Sequence, residues 1–188
     1  MAITEAEKMR QLAVVRRLEA AGFRAWPASS TGFDDTWAVR VTASFPAKRL
    51  NSVNPLDPSD NSDIPSRLQR AAKTFAEHGR SIMVRQSPLA PPDLVAHLDE
   101  KGWSRFDESL VMTDLAGLLD VAVHRTERQR GVGRDLVKTA LRYTAHKGAK
   151  TAWVQVEADN AAGLSLYRSL GFNEAYRYVY RAPPGGGA

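Results

Sequence analysis

The stretch from Leu118 to Val137 narrows the fold more than any other part of the chain. Leu118 to Val123 reads as a buried apolar strand, His124 to Arg130 as a basic turn, and Gly131-Val132-Gly133 as the glycine-punctuated entry to an amphipathic helix. A strand that runs into a helix N-terminus through Arg-x-Arg-Gly-Val-Gly brings bare backbone N–H groups, the positive end of a helix dipole and guanidinium charge to one spot. Gly131 and Gly133 carry no Cβ to hold a ligand off the backbone, so the turn is a cradle for an anion. Two common phosphate loops are excluded by spacing. No Lys-Ser/Thr follows the glycines, as a Walker loop requires, and there is no G-x-G-x-x-G of the dinucleotide-binding type.

What is left is Arg128-x-x-Gly131-x-Gly133 after an Ala122-Val123-His124 strand end, and this resembles the acyl-CoA pyrophosphate loop of the GNAT superfamily of N-acyltransferases. Downstream, Gln155-Val156-Glu157-Ala158-Asp159-Asn160 and Leu166-Tyr167-Arg168-Ser169-Leu170-Gly171-Phe172 resemble the strand, the Asn-led helix and the Leu-Tyr-x-x-x-Gly-Phe segment of the same superfamily. The resemblance covers residues 118–182. The run Arg49-x-Asn51-Ser52-Val53, with Leu89-Ala90-Pro91-Pro92 after it, resembles the N-terminal half of a bacterial two-part subset, here shortened in the middle, since only Asp114 to Gly117 separates the Val-Met-Thr strand from the one that ends in Ala122-Val123-His124.

That resemblance implies an α/β (α+β) fold with a mixed, mainly antiparallel central sheet flanked by helices. It implies acetyl-CoA as cosubstrate and no metal. Backbone groups of Ala122 and Val123 would meet the pantetheine arm, and Arg128, Gln129, Arg130, Gly131, Val132, Gly133 and Arg134 the pyrophosphate. Asn160 would contact the cofactor, a role compatible with capping its helix. Tyr167 matches the tyrosine that donates a proton to the departing thiolate, and its ring can also belong to the core beside Leu164 and Leu170. For the base that takes the amine proton the candidates are Asp120 and Glu157, on the two central strands. Only one parity of a strand faces the slot, and sequence alone leaves the register open. His124, at the strand end, reads first as packed against the turn.

In the rest of the chain, 188 residues can bury one core or two compact subdomains, and zero cysteines exclude disulfides and thiolate nucleophiles. A formal charge of +5 favours an anionic ligand. Polar first residues and the absence of a long apolar run point to a cytoplasmic protein without a membrane span. Thr4 and Glu7 predict a helix capped at Thr4 and closed at Gly22, then a short strand over Phe23 to Trp26 and a turn-rich run to Asp35. Alternation predicts a half-buried strand over Thr36 to Thr42. A third strand is expected over Lys48 to Val53, and a loop over Asn54 to Pro65. The Asp57, Asp60 and Asp63 of that loop lack calcium-loop spacing and read as turn residues. Helices are expected over Ser66 to His78, Pro91 to Lys101, Gly131 to Lys147 and Asn160 to Leu170. Strands are expected over Ser81 to Gln86, Trp103 to Thr113, Ala152 to Glu157 and Tyr176 to Arg181, the last as an exposed edge suited to a homodimer seam.

The domain reading is therefore 1–115 as an N-terminal α/β half on the substrate side, 116–182 as the acyl-CoA-binding core, and 183–188 as a frayed tail. The function read from it is transfer of an acetyl group from acetyl-CoA to a primary amine of a small molecule or protein by direct attack. A catalytically impaired acyl-CoA-binding sensor or interaction module is the alternative. Nucleic acid is not expected as a partner, because no basic stripe interleaved with aromatics stands out.

Overall fold

The computed structural model describes residues 4–114 and 131–186. Five α-helices and seven strands occur among them, in the order α1 (Glu5–Ala25), β1 (Ser30–Asp34), β2 (Trp37–Val41), β3 (Ser52–Pro55), α2 (Ile64–Glu77), β4 (Val84–Gln86), α3 (Pro92–Glu100), β5 (Ser104–Asp114), α4 (Val132–His146), β6 (Ala152–Glu157), α5 (Ala161–Ser169) and β7 (Asn173–Ala182). The strands form one sheet in the order β1-β2-β3-β4-β7-β5-β6. Pairing is antiparallel for β1–β2, β2–β3, β4–β7 and β5–β6, and parallel for β3–β4. The mixed, mainly antiparallel sheet with flanking helices is the expected fold class.

Several local expectations are corrected. Thr4 caps α1, its hydroxyl accepting from the Glu7 amide at 3.3 Å. The helix runs on past Gly22 to Ala25, because the Trp26 N–H closes a further turn on the Gly22 carbonyl at 2.9 Å. Phe23 to Trp26 is therefore no strand. The turn-rich run before Asp35 instead contains β1, an exposed strand that hydrogen bonds to β2 hold in place. The third strand begins later than expected, at Ser52, after a single 3-10 turn over Lys48–Leu50. β7 has β4 and β5 as neighbours, so it is not the expected exposed edge.

The chain divides into two compact units, Met1–Asp107 with Tyr178–Ala188, and Glu108–Arg177. In the first, one sheet face and the helices α2 and α3 enclose Trp37, Val41, Val53, Phe75, Val84, Leu94 and Leu98. The other face is polar. Arg40 of β2 stands opposite Ser52 of β3, Ala38 opposite Asn54, and Arg85 of β4 opposite Tyr180 of β7. This is why β2 is buried on both faces rather than half-buried. Arg40 donates to the backbone carbonyls of Arg49 and Trp26 and lies 4.3 Å from the Phe23 ring. Arg85 meets the Glu19 carboxylate of α1 through two bonds of 2.9 and 2.7 Å and sits 3.3 Å from the Tyr178 ring. Burial opposes the charge of Arg85, yet Glu19 and the two tyrosines outweigh it and hold its pKa above the ordinary value. Burial pushes Tyr180 up to about 12. Breaking such a buried pair costs about 3–5 kcal/mol, because one charge is left stranded.

The aspartates of the loop before α2 are engaged internally. Asp57 accepts from Ser59, and Asp60 from Ser62, Thr36 and the buried Arg67, whose side chain is 1% exposed. Asp63 is bonded by Ser66 and Arg70. Among the described residues no group of three or more His, Cys, Asp or Glu side chains is arranged to hold a metal ion. Ser62, Thr36 and Arg67 hold the Asp60 carboxyl well below the usual carboxylate range, against the opposing effect of burial. With its folded pKa depressed, Asp60 contributes stability above the unfolded carboxylate pKa of about 4, and that contribution is lost as pH falls through the folded value. Urea unfolding midpoints are expected to fall between about pH 5 and pH 2, and to fall less in Asp60→Asn. Equal falls in the two proteins would remove Asp60 as a source of the acid sensitivity.

Candidate active site

The second unit is built on β5 and β6, which pair antiparallel over six residues from Ser109↔Glu157 to Asp114↔Ala152. Alternation puts Ala152, Val154 and Val156 on one face with Leu110 and Met112. There they form a core with Val137 of α4, Leu164 and Tyr167 of α5, and Phe172. Trp153, Gln155 and Glu157 belong to the opposite face, and Glu157 is exposed. The pairing thus fixes the parity of β6, which sequence alone leaves open.

α4 starts at Gly131, whose φ of 81° is left-handed and whose turn no side chain caps. A Cβ there would meet no atom within 4 Å, but the backbone conformation itself strains any L side chain. Val132, Gly133 and Arg134 form the first turn of a 15-residue helix, where N–H groups lack intrahelical acceptors and the dipole favours negative charge. An anion fits this terminus on both counts. Of the remaining residues expected at the site, Asp120, Ala122, Val123, Arg128, Gln129 and Arg130 lie outside the described residues, as does His124.

Asn160 opens α5, its Oδ1 accepting from the Gly163 amide at 2.9 Å. Gly163, which sequence reading did not single out, makes room for that cap. A Cβ at 163 would lie 2.9 Å from the Asn160 amide nitrogen. Tyr167 stands two turns further along the same helix face. It is 7% exposed and packs edge-on to Phe172 at 5.4 Å between ring centroids. The chain reaches Phe172 by reversing at Gly171, where φ is 92°. Gly131, Val132, Gly133, Arg134, Asn160 and Tyr167 all belong to the two helices packed on one face of β6, and Glu157 belongs to its other face.

Proteins of known function resemble this chain over a third to two thirds of its length. It is 42% identical over 126 residues to [Ribosomal protein bS18]-alanine N-acetyltransferase of Escherichia coli K12, covering 65% of this chain and 83% of that protein. The chain belongs to the acetyltransferase (GNAT) family. The family profile itself matches residues 94–172, from α3 to Phe172. A mycothiol acetyltransferase of Tsukamurella paurometabola is 42% identical over 67 residues, 23% of its length. Among solved structures, a GCN5-related N-acetyltransferase from Kribbella flavida superposes with a TM-score of 0.63 at 15% identity, covering 91% of this chain and 96% of that one. At that identity it bears on the fold. The GNAT protein described here is accordingly an N-acetyltransferase that moves an acetyl group onto an amine, and acetyl-CoA is the cosubstrate its family uses. Among the described residues no helix is long and apolar enough to cross a membrane.

The capping geometry of Asn160 is open to test. Asn160→Ala is expected to cost about 1 kcal/mol of stability through the lost cap, and Asn160→Asp, which keeps an acceptor, under about 0.5 kcal/mol. Thermal unfolding of the pair measures this, and equal losses would mean that the side chain contributes by something other than accepting from Gly163.

Proposed function

We propose that the protein binds acetyl-CoA with its pyrophosphate at the N-terminus of α4 and transfers the acetyl group to the α-amine of a protein chain. The observation that carries the cofactor half is the left-handed, uncapped glycine start of α4. Arg128, Gln129, Arg130, Gly131, Val132, Gly133 and Arg134 are the groups proposed to hold the pyrophosphate. Ala122 and Val123 are proposed for the pantetheine arm, and Asn160 for a further cofactor contact. The choice of a protein amine over a small thiol-bearing acceptor rests on extent. The match to the ribosomal-protein acetyltransferase spans 83% of that enzyme, against 23% of the mycothiol enzyme. We also read the protein as cytoplasmic, where newly made chains present such amines.

In the reaction the amine nitrogen attacks the thioester carbonyl carbon, a C–N bond forms, and the C–S bond breaks as the tetrahedral intermediate collapses. Two protons must move, and they move at different atoms. The ammonium proton leaves the nitrogen, for which Glu157 and Asp120 are the proposed acceptors. The departing sulfur gains one, for which Tyr167 is the proposed donor. The opposite faces of β6 occupied by Glu157 and Tyr167 suit groups that act on different atoms rather than on one shared proton. Burial of the Tyr167 ring against Phe172 fixes its direction, which favours a positioned donor over a solvated one.

The test is acetyl transfer from acetyl-CoA to a peptide with an N-terminal alanine, beside a panel of small amines, in the protein and in Tyr167→Phe. The peptide is expected to be the better acceptor. The variant, which loses only a hydroxyl, is expected to lower kcat by about 10²-fold with little change in KM for acetyl-CoA. A variant with unchanged kcat would take the thiolate proton away from Tyr167, and preference for a small amine would overturn the proposed acceptor.

A further inference from the structure

Two parts of the chain have the same build. α2 and α4 are helices of 14 and 15 residues, and each begins at a left-handed residue with no side-chain cap, Asp63 with φ 44° and Gly131 with φ 81°. Left-handed glycines follow both helices, Gly79 and Gly148, and close both of the next helices, Gly102 and Gly171. The spacing between the glycines is 23 residues in both cases, an offset of 69 along the chain. α3 and α5 are nine residues each, and an aromatic residue that packs into the local core follows each closing glycine, Trp103 and Phe172.

The strand pairing repeats reciprocally and to within one residue of that offset. Val84, Arg85 and Gln86 of β4 pair with Arg181, Tyr180 and Val179 of β7. Val154, Gln155 and Val156 of β6 pair with Met112, Val111 and Leu110 of β5. A shift of 69 carries Met112 onto Arg181, Val111 onto Tyr180 and Leu110 onto Val179, and a shift of 70 carries Val84, Arg85 and Gln86 onto Val154, Gln155 and Val156. The last strand of each part therefore pairs with the first strand of the other. The compact units respect this, since the one that holds α2, β4 and α3 also contains Tyr178–Ala188, and the one that holds α4, β6 and α5 also contains residues 108–114.

The chemistry is not repeated. As the residue that opens the helix, the second part has Gly131 and the first has Asp63, one residue out of the offset of the glycines, its carboxylate bonded by Arg70 and with Asp60 three residues before it. At the position of Asn160 stands Pro91, which makes no side-chain cap, and at the position of Tyr167 stands Leu98, fully buried in an apolar core. The head of α2 is occupied by carboxylates that Arg67, Arg70 and neighbouring serines already engage, whereas α4 starts at an uncapped glycine with Asp135 as the acid of its first turn.

We propose that residues 63–114 and 131–182 are two copies of one helix–strand–helix–strand unit that have exchanged their final strands, and that only the second takes up acyl-CoA, one molecule per chain. This rests on the reading of α4 as the cofactor terminus. The first copy keeps the scaffold, and β5 is its contribution to the sheet of the second.

Calorimetric titration of the full chain with acetyl-CoA tests the stoichiometry. One equivalent is expected for the protein and for Asp63→Asn, and none for Gly131→Glu at concentrations a hundredfold above the wild-type Kd. Two equivalents, or one persisting in Gly131→Glu, would overturn the single-site proposal while leaving acyl-CoA binding intact. No binding to the wild type would overturn the cofactor reading and this proposal with it. The exchange is tested in the same cysteine-free chain by paired substitutions under mild oxidation. Ser109→Cys with Glu157→Cys is expected to form a disulfide, and Ser109→Cys with Ser87→Cys, the partners of an unexchanged sheet, is not. Closure of the second pair, or of neither, would overturn the exchange.

Discussion

The pairing of β5 with β6 is the constraint on which the second unit depends. Its register, from Ser109↔Glu157 to Asp114↔Ala152, decides which side chains of β6 face the helices. With Ala152, Val154 and Val156 turned inward, Val137 anchors α4 and Leu164 and Tyr167 anchor α5 on the same apolar surface. The heads of both helices are thereby held by one core. A slip of one residue would turn Trp153, Gln155 and Glu157 inward, burying a carboxylate and releasing both helices. The position of the Gly131 turn is thus a consequence of strand pairing as much as of its own glycines.

The first unit meets a different demand. Its sheet is apolar on one face and charged on the other, and the charged face is stabilised by pairing rather than by exclusion of polar groups. Arg85 with Glu19, and Arg40 with the carbonyls of Arg49 and Trp26, allow the N-terminal helix to cover a face that carries two guanidinium groups. On the other side Arg67 links the loop before α2 to β1 through Asp60 and Asp34. Such networks specify one arrangement because each member left unpaired is costly.

Much of this was legible in the sequence where local chemistry decides the outcome. β6 runs from Ala152 to Glu157 as expected, and the helices that end at Gly79, Gly102, Gly148 and Gly171 stop because glycine takes the left-handed conformation at little cost. What escaped depends on partners distant in sequence. β1 has no apolar alternation, since Ser30–Asp34 is exposed, and only its bonds to β2 make it a strand. Gly22 looks like a helix stop, yet the helix continues to Ala25. The parity of Glu157 is invisible until Ser109 is found opposite it. At the site, Gly131, Asn160 and Tyr167 could be singled out from motif spacing, whereas Gly163 could not, because its importance lies in the volume it leaves for the Asn160 side chain.

The central claim is that the glycine-started terminus of α4 receives the pyrophosphate of acetyl-CoA. The most direct measurement is the backbone amide spectrum of the isotopically labelled protein during titration with acetyl-CoA. The largest shifts are expected at the amides of Gly131, Val132, Gly133 and Arg134, with those of Ile64, Ser66 and Arg67 at the head of α2 unmoved. Shifts centred on α2, or binding that leaves the first turn of α4 unperturbed, would contradict the account.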